Sequence, residues 1–255
     1  MPTTTLIKNR KNQNIAVLIE KVESPKGLAF VMPGLGGFKE QAHIETFAKA
    51  FKDNNYNVLR FDATNSFGES DGDYVDATVT NYYEDLEDLI NWSKTQDFYQ
   101  EPFILCGHSL GGISTALYAQ KYPEKIKALA PISTVVSGEL SFERYSKEEL
   151  DDWEKTGWQT TISADGKRIK KLKYSHVIDR LKYNLLDKAD KLVMPVLLLA
   201  GELDTSTPPK HQKLLFDKLT GKKEFHVIKN APHTFKEKAH LKEVYNILDK
   251  WIKGL

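Results

Sequence analysis

The chain reads Phe103-Ile-Leu-Cys-Gly-His-Ser-Leu-Gly-Gly112 near the middle of its 255 residues. A short apolar run of β-strand character comes first, and a G-x-S-x-G pentapeptide follows it. The pentapeptide alone carries little weight, because the abundances of glycine and serine would produce it by chance in roughly one chain of this length in ten. Its position between a buried strand and a helical stretch is more specific, and predicts a strand, a sharp turn and a helix.

A turn this tight needs glycine at Gly107 and Gly111, because a side chain at either position would strike neighbouring backbone. The residue between them, Ser109, is then held in a strained conformation with its hydroxyl exposed. Ser109 is therefore predicted to be a nucleophile; the alternative is a serine that only caps the helix. The adjacent ring of His108 should point away from the nucleophile, which favours a packing role.

Strand-like and helical stretches alternate along most of the chain, which is typical of βαβ units around a mostly parallel sheet. Strands are predicted over residues 15–22, 28–32, 57–61, 103–106, 126–132, 196–200 and 224–228. Helices are predicted over residues 41–52, 79–95, 110–121, 210–219 and 236–252, where apolar residues recur at three- and four-residue spacing. The strands before Leu28 are expected to form an antiparallel edge. The predicted fold class is α/β, a mostly parallel central sheet with helices on both faces.

One stretch, residues 137–191, is strongly charged and lacks buried strands. It is predicted to be a cap inserted into a core made of residues 1–136 and 192–255. Within it, Ser146-Lys-Glu-Glu149 predicts a capping box that opens a short helix. Residues 158–173 predict a β-hairpin that turns at Asp165-Gly166, and a further helix is expected from residue 175 to about residue 186.

Gly107-His-Ser-Leu-Gly111 and its surroundings resemble the α/β-hydrolase superfamily, and the resemblance covers nearly the whole chain outside the cap. Within that superfamily the chain is similar to small carboxylesterases, the group that includes cinnamoyl and feruloyl esterases and the monoacylglycerol-lipase-like hydrolases. The resemblance implies an α/β-hydrolase fold that carries a serine esterase site.

A serine hydroxyl needs a base to take its proton, and histidine suits this task because its ordinary pKa lies near neutrality. His233 lies in Asn230-Ala-Pro-His-Thr-Phe235, between the last predicted strand and the C-terminal helix, where the family resemblance places the catalytic histidine. The other six histidines of the chain fall on predicted helices, in a strand, in the cap or beside Ser109. His233 is the predicted general base.

A carboxylate must orient that histidine and stabilise its protonated form. Asp204, in Ala200-Gly-Glu-Leu-Asp-Thr-Ser-Thr-Pro208, follows a buried strand and resembles the acid loop of the family. The order Ser109, Asp204, His233 is also the order of nucleophile, acid and base in this fold. Glu202 is the rival acid, although it could equally serve as a salt-bridge partner.

Two backbone N–H groups must stabilise the negative charge that develops on the attacked carbonyl oxygen. The amide of Leu110, at the start of the helix, is one predicted donor. The other is Leu35 in Val31-Met-Pro-Gly-Leu-Gly-Gly-Phe38, where Gly34 is expected to contact substrate. This loop departs from the family, because Pro33-Gly34 replaces the usual His-Gly pair.

Aromatic side chains in the cap could form a wall of the substrate pocket or merely anchor the cap. The ones assigned to substrate are Trp153 and Trp158; Phe142 and Tyr145 leave the same choice open. The basic run Lys167-Arg-Ile-Lys-Lys-Leu-Lys173 could attract an acidic substrate, but a solvated hairpin face is favoured.

The 36 lysines and arginines nearly balance the 35 aspartates and glutamates, so the net charge of +1 argues against a nucleic-acid partner. One cysteine, Cys106, excludes an internal disulfide. No long apolar stretch suggests a signal peptide or a membrane span, and a cytoplasmic location is expected. No cofactor or metal is expected, and the sequence leaves a homodimer open.

These residues together predict a serine hydrolase that cleaves small carboxylic esters through an acyl-enzyme on Ser109. A peptidase or a thioesterase could use the same three residues. A catalytically silent ligand-binding protein of the same fold is the alternative from another class.

Overall fold

The computed structural model describes residues 2–162, 166 and 169–255. Its strands are β1 (Thr3–Lys8), β2 (Asn14–Glu20), β3 (Gly27–Met32), β4 (Tyr56–Phe61), β5 (Phe103–His108), β6 (Ile126–Ile132), β7 (Trp158–Ile162), β8 (Ile169–Lys173), β9 (Val196–Gly201) and β10 (Lys223–Ile228). Its α-helices are α1 (Ala42–Asp53), α2 (Val79–Ser93), α3 (Leu110–Lys121), α4 (Gly138–Phe142), α5 (Lys147–Thr156), α6 (Ser175–Arg180), α7 (Pro209–Lys218) and α8 (Lys238–Lys253). Short 3₁₀ turns cover Tyr74–Asp76, Pro123–Lys125 and Leu185–Lys191.

Eight of these strands form one sheet in the order β1-β2-β4-β3-β5-β6-β9-β10. β2 pairs antiparallel with β1 and β4, and the other neighbours pair parallel. The α/β class and the antiparallel edge predicted before Leu28 are therefore confirmed. β1 had no assigned bounds in the sequence, because it is rich in threonine and only Ile7 among its side chains is buried.

The two faces of the sheet bury separate apolar clusters. Along β5, Phe103 and Leu105 join a cluster with α2 and α3, whereas Ile104 and Cys106 join one with α1 and α8. All six residues of β5 are buried, as expected for a central parallel strand with helices on both faces. Burial also raises the pKa of the Cys106 thiol, which suits a core residue.

Residues 137–191 lie between β6 and β9 and add no strand to the large sheet. They contain α4, α5, α6 and a two-stranded antiparallel sheet of β7 and β8. The predicted capping box is present: Ser146 Oγ accepts from Glu149 N at 3.2 Å, and Glu149 Oε2 accepts from Ser146 N at 2.8 Å. Asp165 of the predicted hairpin turn lies outside the described residues, and Gly166 has a φ of +71°.

The helix predicted from residue 175 to about residue 186 is too long, because α6 ends at Arg180. Beyond α6 the backbone forms hydrogen bonds with the stretch that joins β6 to α4. Gly138 N donates to Tyr183 O at 2.8 Å, and Leu185 N donates to Val136 O at 2.9 Å. These long-range bonds draw residue 184 into an extended conformation, and so end the helix.

None of the helices in the described residues has the length and apolar character that crossing a bilayer requires.

Candidate active site

Ser109 lies in the sharp turn between β5 and α3, with φ 54° and ψ −112°. A residue other than glycine rarely adopts this conformation, and it persists only where its surroundings enforce it. Here Ser109 N donates to Ile132 O at 3.0 Å, and Ser109 O accepts from Val135 N at 3.2 Å. The turn is thus held by hydrogen bonds to the end of β6 and the residues after it.

The glycines of this turn are required by close backbone contacts. A Cβ on Gly107 would lie 2.3 Å from Gly111 O, and a Cβ on Gly111 would lie 2.4 Å from Pro33 O. A Cβ on Gly34 would lie 2.9 Å from Ser109 Cβ, so the loop after β3 passes directly beside Ser109. The elbow inferred from the sequence therefore has the expected backbone geometry.

Asp204 and His233 lie in the loops after β9 and β10 and are hydrogen-bonded: His233 Nδ1 lies 2.7 Å from Asp204 Oδ2. The other carboxylate oxygen of Asp204 accepts from the amides of Ser206 and Thr207 at 2.8 and 2.9 Å. Burial raises the pKa of Asp204, but the bonds from His233 and Thr207 outweigh burial and hold that pKa below its usual range. Asp204 is thus an ionised, fixed acceptor for His233.

His233 and Ser109 line the same cavity. Within the described residues, no hydrogen bond joins their side chains; such contacts are often long without substrate and tighten when substrate binds. The rival acid Glu202 lies elsewhere, since its Oε2 accepts from Asn230 N at 2.8 Å and shapes the loop that leads to His233. The structure brings Asp204, and not Glu202, to the histidine.

His108 also lines the cavity, and it supports the loop of His233. Its Nε2 lies 2.8 Å from the carbonyl oxygen of His233, and its ring lies 4.7 Å from the His233 ring and 4.5 Å from the ring of His43. Burial, together with the nearby His43 and His233, lowers the pKa of His108 well below its ordinary value. His108 is therefore a neutral donor.

The loop that contains Gly34 and Leu35 forms part of the cavity wall, while Leu110 is buried as the first residue of α3. The loop is anchored by the buried Tyr82, whose hydroxyl accepts from Gly36 N at 2.9 Å. A second anchor is the buried Lys39, whose Nζ lies 2.9 Å from Asp62 Oδ2. These contacts hold the loop of Leu35, one of the two predicted donor segments, in place.

The cavity next to Ser109 has a volume of about 560 Å³. Its lining comes both from residues 137–191 and from the rest of the chain. One wall comes from the loops after β3, β5 and β10. The facing wall comes from the segment of residues 137–191, and includes the side chains of Phe142, Tyr145, Trp153, Leu172 and Arg180.

The two tryptophans assigned to substrate lie in different surroundings. Trp153 is buried and lines the cavity, and its Nε1 donates to Leu172 O at 3.3 Å. Trp158 does not line the cavity; it is 37 % exposed, and its ring lies under Lys171 Nζ at 4.2 Å. The structure therefore gives no position in the cavity for Trp158.

Three contributors to this site were not found in the sequence: Thr207, Tyr82 and Arg180. Thr207 lies in the acid loop, and its Oγ1 is 2.8 Å from Asp204 Oδ2. Tyr82 and Arg180 lie on helices far along the chain from Ser109, so no local pattern could point to them. In the described part of the chain, no three His, Cys, Asp or Glu side chains are grouped to hold a metal ion.

The fold is that of the α/β-hydrolases. The chain belongs to the family described as "Serine aminopeptidase, S33" (Hydrolase_4), whose model matches residues 23–179. It is 28 % identical over 249 residues to bovine "Palmitoyl-protein thioesterase ABHD10, mitochondrial", covering 95 % of this chain and 78 % of that protein.

Solved structures show the same fold. Est1E of Butyrivibrio proteoclasticus with bound ferulic acid superposes with a TM-score of 0.82 at 22 % identity, over 98 % of both chains. "Alpha/beta hydrolase domain-containing protein 10 from mouse" superposes with a TM-score of 0.80 at 23 % identity, over 99 % of both chains. The resemblance to esterase-like α/β-hydrolases is confirmed, and the family and its relatives indicate a hydrolase. The cytoplasmic location stays a prediction.

Proposed function

We propose that this chain hydrolyses carboxylic esters through an acyl-enzyme on Ser109, with His233 as general base and Asp204 as the acid that orients it. The observation that carries the proposal is the geometry around one cavity. Ser109 is held at a positive φ at its floor, and His233 lines the same space with Nδ1 2.7 Å from a buried carboxylate.

In the proposed reaction His233 Nε2 takes the proton of Ser109 Oγ as the oxygen attacks the carbonyl carbon. The resulting oxyanion accepts hydrogen bonds from the amides of Leu110 and Leu35. Collapse breaks the bond to the alcohol, which leaves with the proton from His233. Water then repeats the sequence on the acyl-enzyme and releases the acid. Asp204 stays ionised throughout, in accord with its low pKa.

A thioester is the second candidate substrate, because the bovine relative is named as a palmitoyl-protein thioesterase. The same residues would serve, since a thiol leaves more readily than an alcohol. A peptidase, suggested by the family description, would need stronger protonation of the leaving amine by His233. A silent binding protein would not need to hold Ser109 in a strained turn.

We further propose that residues 137–191 act as a cap. Their side chains supply the wall that faces Ser109, and the segment is inserted where the large sheet is undisturbed. Loops after the carboxyl ends of parallel strands usually border the ligand crevice in such folds. The cap would then govern which acyl groups reach Ser109.

The test uses Ser109→Ala with p-nitrophenyl esters and acyl thioesters of two to twelve carbons. We expect kcat to fall about 10⁴-fold or more and labelling by a fluorophosphonate to disappear, because the nucleophile is gone. The matched control is Ser114→Ala, which removes a buried hydroxyl of α3 whose one hydrogen bond, within the described part of the chain, runs to Leu110 O. Labelling of the folded Ser109→Ala protein at the wild-type rate would refute the proposal.

A further inference from the structure

Arg180 is the last residue of α6 and lines the same cavity as Ser109 and His233. Its side chain stacks on Phe142, with the guanidinium carbon 5.4 Å from the ring centre. Only 6 % of the residue is exposed. A positive charge is therefore buried in the wall of the cavity.

This guanidinium has few partners. In the described part of the chain its one hydrogen bond runs from Nη1 to Ser141 Oγ at a long 3.4 Å, and its buried Nε donates to nothing. No carboxylate among those residues forms an ion pair with it. Buried arginines are normally paired and hydrogen-bonded, because removing an ion from water is costly.

The carboxylate of Asp179, the residue before Arg180, is bonded to other groups. Asp179 accepts from Thr80 N at 2.9 Å and lies 3.4 Å from Lys182 Nζ, on the side of α6 that faces α2. It ties the segment to the core, and no other carboxylate in the described part of the chain forms an ion pair with Arg180.

The other described residues of the cavity wall add positive charge and no negative charge that would balance it. Arg144 also lines the cavity; its Nη1 donates to Ser206 Oγ at 2.8 Å rather than to a carboxylate. His176 is buried beside the two arginines, and its pKa is lowered to about 3 by burial and then by Arg180 and Arg144, so it is neutral. Among the described residues, no aspartate or glutamate lines the cavity.

We propose that the cavity recognises an anionic substrate, an ester or thioester that carries a carboxylate which pairs with Arg180 and is assisted by Arg144. This inference rests on the proposed function for the reaction, but the anion site stands on its own contacts. The planar guanidinium carries several N–H donors in a fork that matches a carboxylate. A bound carboxylate would pair with the charge and with the terminal N–H groups, to which the described residues supply one long hydrogen bond.

The kinetic test uses two matched ester pairs. On the acyl side, 4-nitrophenyl hydrogen glutarate is compared with 4-nitrophenyl pentanoate. On the alcohol side, 4-carboxyphenyl acetate is compared with its methyl ester. We expect the wild type to prefer the anionic member of one pair in kcat/KM, and that pair tells which part of the substrate lies at Arg180.

In Arg180→Met, which keeps a side chain of similar length without charge, the preference should fall about tenfold or more, as expected for a lost charge-assisted bond. In Arg180→Lys, which retains the charge but not the fork, it should fall less. The matched control is Lys182→Met, which removes an exposed cation from the same segment but outside the cavity; the preference should persist. The inference would be overturned if the wild type preferred the neutral ester in both pairs, or if Arg180→Met kept the preference for the anionic ester.

A binding measurement separates this inference from the proposed reaction. Calorimetry is run with N-(4-nitrophenyl)glutaramic acid, an amide with a free carboxylate, and with its neutral primary amide. Tighter binding of the acid that is lost in Arg180→Met supports the anion site even if no ester is turned over. Ester turnover with equal binding of both probes would refute the anion site and leave the proposed hydrolysis standing.

Discussion

The two walls of the cavity differ in how a buried charged group on each of them is paired. On the wall made by the large sheet, Asp204 accepts from His233, Ser206 and Thr207. On the wall made by residues 137–191, the buried Nε of Arg180 has no hydrogen-bond partner among the residues that the structure describes. Groups proposed to carry out chemistry must be fixed before substrate arrives, whereas a recognition group must keep bonding capacity for the ligand. The contrast therefore separates a proposed reaction wall from a proposed recognition wall.

The largest expected effect tests the reaction wall. Asp204→Asn should lower kcat by about 10³ to 10⁴-fold, because an amide cannot hold the proposed base in the required tautomer or stabilise its protonated form. The matched control is Glu202→Gln, whose side chain can still accept from Asn230 N, and kcat should stay within about twofold. Steady-state kinetics of the two variants on one ester test the assignment of the acid. If kcat fell strongly in Glu202→Gln and stayed nearly normal in Asp204→Asn, the acid would be wrongly assigned.

An intermediate effect concerns stability, and involves both walls. His43 and His108 lie behind His233, and His176 lies in the other wall; burial is the first cause that lowers the pKa of each, for His43 and His176 to about 3. The unfolded chain titrates near 6.5 and so binds more protons than the folded chain below that pH. Stability is therefore full above about pH 6.5 and is lost as pH falls, by about 2 kcal/mol per histidine between pH 7 and 5.

Urea unfolding at pH 7, 6 and 5 measures this dependence. In His176→Phe the loss of unfolding free energy between pH 7 and 5 should be smaller by the contribution of one histidine, about 2 kcal/mol. This holds even if the variant is less stable at every pH. The half-buried His226 of β10, changed to Gln, is the control and should leave most of the dependence intact. An unchanged pH dependence in His176→Phe would show that this ring is not held neutral.

The smallest expected effect sharpens the description of the recognition wall. Trp153→Phe should change the ratio of kcat/KM between long and short acyl esters by about three- to tenfold, because the indole lines the cavity. Trp158→Phe, at a position outside the cavity, should leave that ratio unchanged. An equal loss on every ester in Trp153→Phe would mean that this side chain only holds the segment together.

Local signals predicted much of the molecule. The elbow follows from Gly107 and Gly111, because the backbone passes too close for any side chain. The opening of α5 follows from Ser146 and Glu149, which satisfy each other's amides across one turn. The positions of the sheet strands other than β1 follow from their apolar content, and their ends fall within about two residues of the prediction.

Local sequence patterns could not predict which groups a buried side chain contacts or whether it lines the cavity. Gln159, Thr161 and Ile162 of β7 line the cavity, whereas Trp158 of the same strand does not. The aromatic content of the segment was visible in the sequence, but which of its residues line the cavity was not.

The sequence by itself determined the class of fold, the elbow and the chain order of Ser109, Asp204 and His233, because each depends on backbone limits within a few residues or on the order of strands. The tertiary structure alone decided that Asp204 rather than Glu202 meets His233, and that α6 stops at Arg180. It also decided that this arginine lies in the cavity wall with no ion-pair partner among the described residues. Those outcomes depend on contacts between segments far apart in the chain, and hydrogen-bond partners at such distances leave no trace in local pattern.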